Sequence, residues 1–244
     1  MKSLLLALQF LTIIPVRISN IPERGIVRCQ MFFPVIGLLI GLLPVVLRAL
    51  GAAAGFHGFS LDIITVVALA AVTGGLHLDG LADCADACFS RKPREEMLAV
   101  MRDPHAGSAG VIAVVSLLLL KIAALHSLTG YEKTAGILLA CTVSRGALVL
   151  VMKSFAYARA EGKAKIFMAG TTTGIMRSTL AVVLVLAFLI YGVKGIIVTF
   201  AGGLCAYAAA RFARGIFGGI TGDVLGAVCE VTELAVLFWM VVVC

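Results

Sequence analysis

Long runs of apolar residues dominate this 244-residue chain and restrict its fold more than any motif does. With 61% hydrophobic residues, 14% charged residues and a mean hydropathy of +1.09, the chain has more apolar surface than one water-soluble core can bury. A helix needs roughly 20 apolar residues to cross the ~30 Å hydrocarbon layer of a bilayer. The sequence therefore predicts an all-α, polytopic integral membrane bundle that forms a single domain over residues 1–244.

We predict about seven transmembrane helices plus an N-terminal interfacial helix. Segment 1–16 is apolar behind Lys2 but has no small-residue cleavage site before Pro15 and Arg17, so an uncleaved helix at the membrane surface is expected rather than a signal peptide. The fifth and sixth spans are short and are expected to tilt differently or fray. The predicted spans are 31–50, 61–78, 109–128, 134–152, 178–193, 196–210 and 224–244.

The basic residues between these spans predict an orientation. They cluster before the first span, between the second and third, between the fourth and fifth, and after the sixth, whereas the connections at 51–60, 130–133 and 194–195 hold few. The positive-inside rule then places the basic loops and the N-terminus in the cytoplasm and the C-terminus outside. The net charge of +7 is explained by loops facing anionic membrane lipids, so no nucleic-acid partner is predicted.

Segment 79–108 interrupts the apolar pattern with six of the thirteen acidic residues. Asp79, Asp83 and Asp86 are spaced i, i+4 and i+7, which places their carboxylates along one stripe of a helix. Three like charges within about two turns repel one another unless water solvates them or a divalent cation lies among them. In a chain this hydrophobic, the pattern favours the metal.

A glycine-rich turn follows the acidic stripe at residues 101–110. Pro104 is expected to end any preceding helix at Asp103. Gly107 and Gly110 allow the backbone to approach a ligand closely. These residues fit a phosphate site and fit equally well a polar loop that turns into a membrane helix.

Two glutamates lie inside the last predicted span. Asp223, Gly226, Glu230 and Glu233 follow a helical repeat and face one way. Ionisable groups at this depth nearly always face a protein interior, a water cavity or a cation. We interpret the pair as functional; if it is structural, Arg211 or Arg214 is the expected partner.

The seven cysteines fall mainly in apolar stretches, where cysteine behaves as a small core residue. Cys84 and Cys88, with His77 nearby, could be considered as zinc ligands. Structural zinc sites normally show a second pair of Cys or His residues at suitable spacing, and this sequence has none beside them. The pattern is therefore a weak indication of zinc.

Three blocks of sequence occur in the order known from one enzyme family. They are 74–86 (GGLHLDGLADCAD), 101–111 (MRDPHAGSAGV) and 218–227 (GGITGDVLGA) with Glu230 and Glu233 after it. With segments 10–16 and 33–41, they resemble the cobalamin-5′-phosphate synthase family, also called adenosylcobinamide-GDP ribazoletransferase. The chain departs from the family pattern at Ala87, where glycine is expected, and matches it only loosely over 157–174.

The resemblance implies transfer of adenosylcobinamide phosphate from adenosylcobinamide-GDP to α-ribazole or its 5′-phosphate, with release of GMP. It also implies an active site on the cytoplasmic face of the inner membrane. It implies Mg²⁺ as well, because a pyrophosphate donor needs divalent cations to neutralise its charge. The implied metal ligands are Asp79, Asp83 and Asp86, completed or oriented by Asp103 and Asp223.

The ribose hydroxyl also needs a proton acceptor, and an arginine could pair with the GMP phosphate. The candidate catalytic residues are Asp86, Glu230, His77 and His105, and the candidate substrate-binding residues are Arg102, Gly107, Gly110, Thr221 and Glu233.

Two other functions are compatible with acids in a membrane bundle. A CDP-alcohol phosphotransferase of lipid synthesis also uses an Asp-rich helix, but its motif has an Ala-Arg pair after the second Asp-Gly, whereas Asp86 here is followed by Ala-Cys-Phe-Ser. A cation-coupled transporter would predict inverted halves with matching broken helices, and the Asp-rich block has no counterpart in the second half of the sequence. The sequence leaves the oligomeric state open.

Overall fold

The computed structural model describes residues 2–16, 18 and 23–244, and in this part of the chain it is a bundle of helices, as predicted. A short 3₁₀ turn, Cys29–Phe32, joins the second helix to the third. The helices are α1 (Lys2–Leu11), α2 (Glu23–Arg28), α3 (Phe33–Ala53), α4 (Phe59–Val72), α5 (Leu76–Phe89), α6 (Arg94–Val100), α7 (Ser108–Ser127), α8 (Gly130–Ser154), α9 (Lys163–Gly170), α10 (Thr173–Phe217) and α11 (Gly222–Val243).

By length and composition, five helical segments of the described chain can cross a membrane, or six if the bent pair α4–α5 is one span. The longest, α10, has 45 residues but is not helical at Tyr191 and Gly192. A Cβ added to Gly195 would collide with the carbonyl oxygen of Ala187. In a continuous helix, residues eight positions apart would be separated by about 12 Å along the axis. The chain therefore reverses in α10, near the predicted turn at 194–195, and the count of seven spans is approximate.

A sharp bend separates α4 from α5, where the sequence predicted one span over 61–78. Gly74 and Gly75 both have positive φ angles, which end α4 at little steric cost. The axes of α4 and α5 differ in direction by 89°. As a result, α5 runs across the bundle instead of continuing through it, and it carries the acidic stripe with it.

Helix α8 occupies the centre of the bundle and packs against α3, α10 and α11. Its apolar stretch is 89% buried, the highest share of any candidate span in the described residues. Small residues allow this packing: a Cβ at Gly37 of α3 would collide with the backbone carbonyl of Cys141. The central helix therefore has to satisfy its one arginine, Arg145, inside the protein.

Helix α1 is too short to cross a bilayer, because ten residues of helix span about 15 Å. Ala7 and Leu11 are fully buried against the bundle. Phe10 stacks on Phe33 at 5.8 Å between ring centroids and contacts Phe167 at 4.6 Å. The N-terminal helix is therefore packed on α3 and α9, which brings Phe10 to the rim of the site described next.

Candidate active site

Helices α5 and α11 touch backbone to backbone at two glycines. A Cβ added to Gly80 would lie 2.6 Å from the carbonyl oxygen of Asp223, and one added to Gly226 would lie 3.2 Å from the Cα of His77. A side chain at Gly80 would force the helices apart, and one at Gly226 would crowd the same contact. The contact brings the acidic stripe of α5 beside Asp223, which lies about 140 positions further along the chain.

A cavity of about 300 Å³ lies at this contact. It combines residues from α1, α5, α8, α11 and the segment between α8 and α9. Phe10, Leu148 and Met152 form apolar walls, and the polar lining comes from α5, α11 and segment 155–162. The polar and charged residues that line it are His77, Asp79, Tyr157, Arg159 and Asp223.

The carboxylates of the stripe are close enough to repel each other. Burial, together with the negative charges of Asp79, Asp223 and Asp86, raises the pKa of Asp83 to about 6. A cation placed among these oxygens would relieve the repulsion, and carboxylate oxygens are ligands that Mg²⁺ prefers. The donor chemistry therefore fits a divalent cation.

The described residues contain no group of three His, Cys, Asp or Glu side chains placed to hold a metal ion by themselves. Mg²⁺ does not require such a group, because it usually binds through one or two carboxylates and completes its octahedron with water and substrate phosphates. Asp79 and Asp223, which line the cavity, and Asp83 beside them are the residues able to supply those carboxylates.

Asp86 differs from its neighbours because backbone amides already bind its carboxylate. The N–H of Gly107 donates to Oδ2 at 2.7 Å and the N–H of Gly110 donates to Oδ1 at 2.8 Å. These amides belong to the N-terminus of α7, where the helix dipole favours an anion. A Cβ at either glycine would collide with the Asp86 carboxyl group. The glycines predicted to approach a phosphate thus approach a carboxylate of the protein.

Asp223 lies in the first turn of α11 and is held by two side chains. Nη2 of Arg159 forms an ion pair with its Oδ2 at 2.9 Å, and the hydroxyl of Thr221 donates to the same oxygen at 3.3 Å. Thr221 also caps α11 by accepting from the N–H of Val224 at 3.2 Å. Thr221 is therefore buried beneath the site and positions Asp223.

Sequence analysis did not single out Arg159. It is one of three basic residues between α8 and α10, and nothing in the spacing distinguishes it from the others. Its position depends on backbone pairing between segment 156–158 and Ile220, a contact between chain segments more than 60 residues apart. Helical or strand periodicity carries no signal for such a pairing.

Three predicted residues lie outside the cavity, on the exposed turn between α6 and α7. Asp103 accepts from the backbone N–H of His105 at 3.0 Å and lies 2.7 Å from its ring nitrogen Nδ1. These hydrogen bonds lower the pKa of Asp103. His105 is 89% exposed at its side chain, and Arg102 is exposed too. The roles predicted for these three residues stay predictions.

Glu230 and Glu233 bind two buried cations rather than facing the cavity. The Lys121 ammonium group of α7 donates to both carboxylates, and Arg145 of α8 donates to Glu233. The four residues are each at most 5% exposed, so two positive and two negative charges compensate inside the bundle. The expectation of Arg211 or Arg214 as partner was wrong, because both lie exposed on the second half of α10.

Fold and site together define a polytopic membrane protein with a carboxylate-rich cavity between α5 and α11, a donor set suited to a divalent cation. The chain belongs to the cobalamin-5-phosphate synthase family, whose model matches residues 3–241. The resemblance inferred from the three sequence blocks is thereby confirmed.

Curated relatives extend over almost the whole chain. A protein of Pseudomonas paraeruginosa named adenosylcobinamide-GDP ribazoletransferase is 40% identical over 97% of this chain and 96% of its own length. A protein of the same name from Pseudomonas aeruginosa is 38% identical over 97% of this chain and 96% of its own length. Another, from Citrobacter koseri, is 37% identical over 88% of this chain and 86% of its own length. No solved structure matches this chain.

The amide contacts of Asp86 predict that Asp86→Asn destabilises the protein whereas Asp79→Asn does not. An asparagine at position 86 presents an NH₂ group to one of the two amide donors, which costs about 1–3 kcal/mol for an unsatisfied buried group. Asp79 is exposed and serves as the matched control. Thermal denaturation of both purified variants in detergent measures the difference; equal midpoints would contradict the contact.

The buried charge network predicts that Lys121→Met unfolds or strongly destabilises the protein. The substitution leaves two carboxylates with one cation, and breaking a buried ion pair costs roughly 3–5 kcal/mol. Adding Glu230→Gln restores charge balance and should recover much of the folded protein. The measurements are the yield of monodisperse protein and the thermal midpoint, with exposed Lys92→Met as the control. Failure of the second substitution to recover stability would argue against charge balance as the cause.

Proposed function

We propose that this protein is an adenosylcobinamide-GDP ribazoletransferase, acting at the last assembly stage of cobalamin synthesis. The observation that carries the proposal is the convergence of Asp79 and Asp223 on one cavity, with Asp83 close beside them, in a chain of the cobalamin-5-phosphate synthase family. The hydroxyl oxygen of α-ribazole, or of its 5′-phosphate, attacks the phosphorus bound to cobinamide. The bond from that phosphorus to the bridging oxygen breaks, and GMP leaves with the electron pair.

A phosphoryl transfer of this kind depends mainly on positioning and on neutralising charge. When bound, Mg²⁺ would supply positive charge to the pyrophosphate and to the departing GMP. Asp79, Asp83 and Asp223 would hold it. Asp86, bound by one backbone amide at each oxygen, fixes α5 against the start of α7 and so orients the other carboxylates.

The proton of the attacking hydroxyl needs an acceptor near the cavity. Of the four candidates, Asp86 is bound by amides, Glu230 is bound by Lys121, and His105 is exposed on its turn. His77 lines the cavity and is buried, and within the described residues its Nδ1 has no hydrogen-bond partner. We therefore assign proton acceptance to His77.

Two substrates as large as a corrinoid nucleotide and a ribazole need more room than one small cavity. A second, shallower depression of about 770 Å³ adjoins the first and shares Phe10, Leu76 and Asp79 with it. Asp79 thus stands on the boundary between two binding regions. This arrangement supports approach of donor and acceptor from two sides of one carboxylate.

The site is assigned to the cytoplasmic face of the inner membrane. Basic residues are concentrated in the connections at the same end of the bundle as Asp79 and Asp223, and the positive-inside rule directs that end to the cytoplasm. Nucleotide-activated donors are cytoplasmic metabolites of high charge, so the assignment also suits the chemistry.

The proposal predicts release of GMP from adenosylcobinamide-GDP by purified protein only when α-ribazole or its phosphate and Mg²⁺ are both present. A chelator should abolish release. Asp79→Asn and Asp83→Asn should each lower kcat/KM by about 100-fold or more, because each loses charge needed at the metal. Glu95→Gln, on exposed α6, is the matched control. Equal turnover with the chelator would remove the metal from the mechanism, and no acceptor-dependent GMP would refute the function.

The topology predicts opposite labelling of the two ends in intact cells. Cys244 is exposed at the C-terminus and should react with a membrane-impermeant maleimide. A cysteine placed at exposed Lys92, in a Cys244→Ser background, should react only with a permeant reagent. Labelling is read by mass shift after isolation of the protein. The reverse pattern would invert the orientation and move the site to the outer face.

A further inference from the structure

We propose that Arg159 binds the phosphates of the nucleotide-activated donor and is a substrate-binding residue of this site. The inference deepens the proposed function and rests on it, since it names the group that recognises the donor. It comes from the loop between α8 and α10, where the sequence blocks predict no site residue.

The backbone fixes the position of Arg159 beside the site. The N–H of Ala158 donates to the carbonyl of Ile220 at 2.9 Å, and the N–H of Ile220 donates to the carbonyl of Ala156 at 2.9 Å. A Cβ added to Gly219 would lie 2.9 Å from the Cα of Ala158, so the two segments are in close contact. This pairing attaches segment 156–158 directly before the first turn of α11 and sets Arg159 at the cavity wall.

The guanidinium group has donors left over after its protein contacts are made. Its Nη2 lies 2.9 Å from Oδ2 of Asp223 in an ion pair and donates to the carbonyl of Leu98 at 3.5 Å. Its Nε is buried and has no hydrogen-bond partner in the described part of the protein. Because a guanidinium presents five N–H donors in a planar fork, Arg159 can keep Asp223 and still bind two oxygens of a phosphate.

The charges that line the cavity also favour a positively charged group at the position of Arg159. Among the described residues that line it, the side chains with formal charge are Asp79, Asp223 and Arg159. A pyrophosphate entering between two carboxylates is repelled unless positive charge faces it. A metal ion held by Asp79 and Asp223 would supply part of that positive charge. Arg159 is the fixed positive charge on the part of the cavity lining that segment 155–162 supplies.

The burial of Arg159 makes this contact specific for the donor. The side chains of Arg159 and Asp223 are 11% and 24% exposed, so the ion pair is partly shielded from solvent and restricts the orientation of the fork. A flexible surface arginine, such as exposed Arg177 at the start of α10, attracts anions without such orientation. We therefore expect Arg159 to affect recognition of the pyrophosphate-bearing donor and to leave recognition of unphosphorylated α-ribazole unchanged.

The test compares Arg159→Gln, Arg159→Lys and the control Arg177→Gln with the unmodified protein in detergent. Initial rates of GMP formation are measured while donor, α-ribazole and Mg²⁺ are each varied in turn. Arg159→Gln should raise the KM for the donor by roughly tenfold to a hundredfold, because charge-assisted hydrogen bonds are lost. The KM for α-ribazole and the Mg²⁺ concentration for half-maximal rate should not change. Arg159→Lys should recover part of the loss, since it keeps the charge without the fork.

Two results would overturn the inference while leaving the function intact. If Arg159→Gln changes only the Mg²⁺ requirement, Arg159 acts through Asp223 as a positioning residue. If it changes neither donor KM nor Mg²⁺ requirement, the arginine has no part in the site. Absence of GMP formation by the unmodified protein would instead refute the proposed function. If Arg159→Gln fails to fold, Arg159→Lys is the test. A donor KM in Arg159→Lys equal to that of the unmodified protein would exclude recognition of the phosphate by the guanidinium fork.

Discussion

The backbone contact between α5 and α11 is the constraint on which the site depends. Gly80 and Gly226 let the two helices meet without side chains between them, so that Asp79 and Asp223 line one cavity. The bend at Gly74 and Gly75 is also required, because it turns α5 away from the direction of α4. Without the bend, α5 could not lie across α11. Glycines at a turn and at a helix contact therefore do as much to build the site as the acids do.

Charge compensation organises the bundle at three levels along its length. At the cavity, Arg159 pairs with Asp223. Deeper in the bundle, Lys121 and Arg145 neutralise two glutamates of α11. At the opposite end, fully buried Asp62 binds basic side chains from α3, α7 and α8, which are Arg48, His126 and Lys133. A charge inside a membrane bundle is costly alone, so each cluster fixes the mutual position of the helices that supply its members.

The sequence predicted what depends on local pattern. Apolar runs indicated the spans, and i, i+4, i+7 spacing indicated the stripe of Asp79, Asp83 and Asp86, which does lie on one helix. The partners of the buried glutamates were missed, because Lys121 and Arg145 sit in apolar stretches of other helices and no periodicity links them to α11. Arg159 was missed for the same reason. Contacts between distant segments depend on packing, which a single sequence does not encode in any short pattern.

The three aspartates of the stripe look equivalent in sequence, yet the structure gives each a different environment. Asp79 is exposed at the boundary of two depressions, and Asp83 is partly buried with a raised pKa. Asp86 is bound by the first amides of α7. Because two amides already hold its carboxylate, Asp86 anchors the stripe, whereas a cation would relieve the repulsion that Asp83 feels from its acidic neighbours. The acidic stripe of α5 is thus stabilised at Asp86 by the N-terminus of α7, while its other carboxylates are left to bind a metal ion.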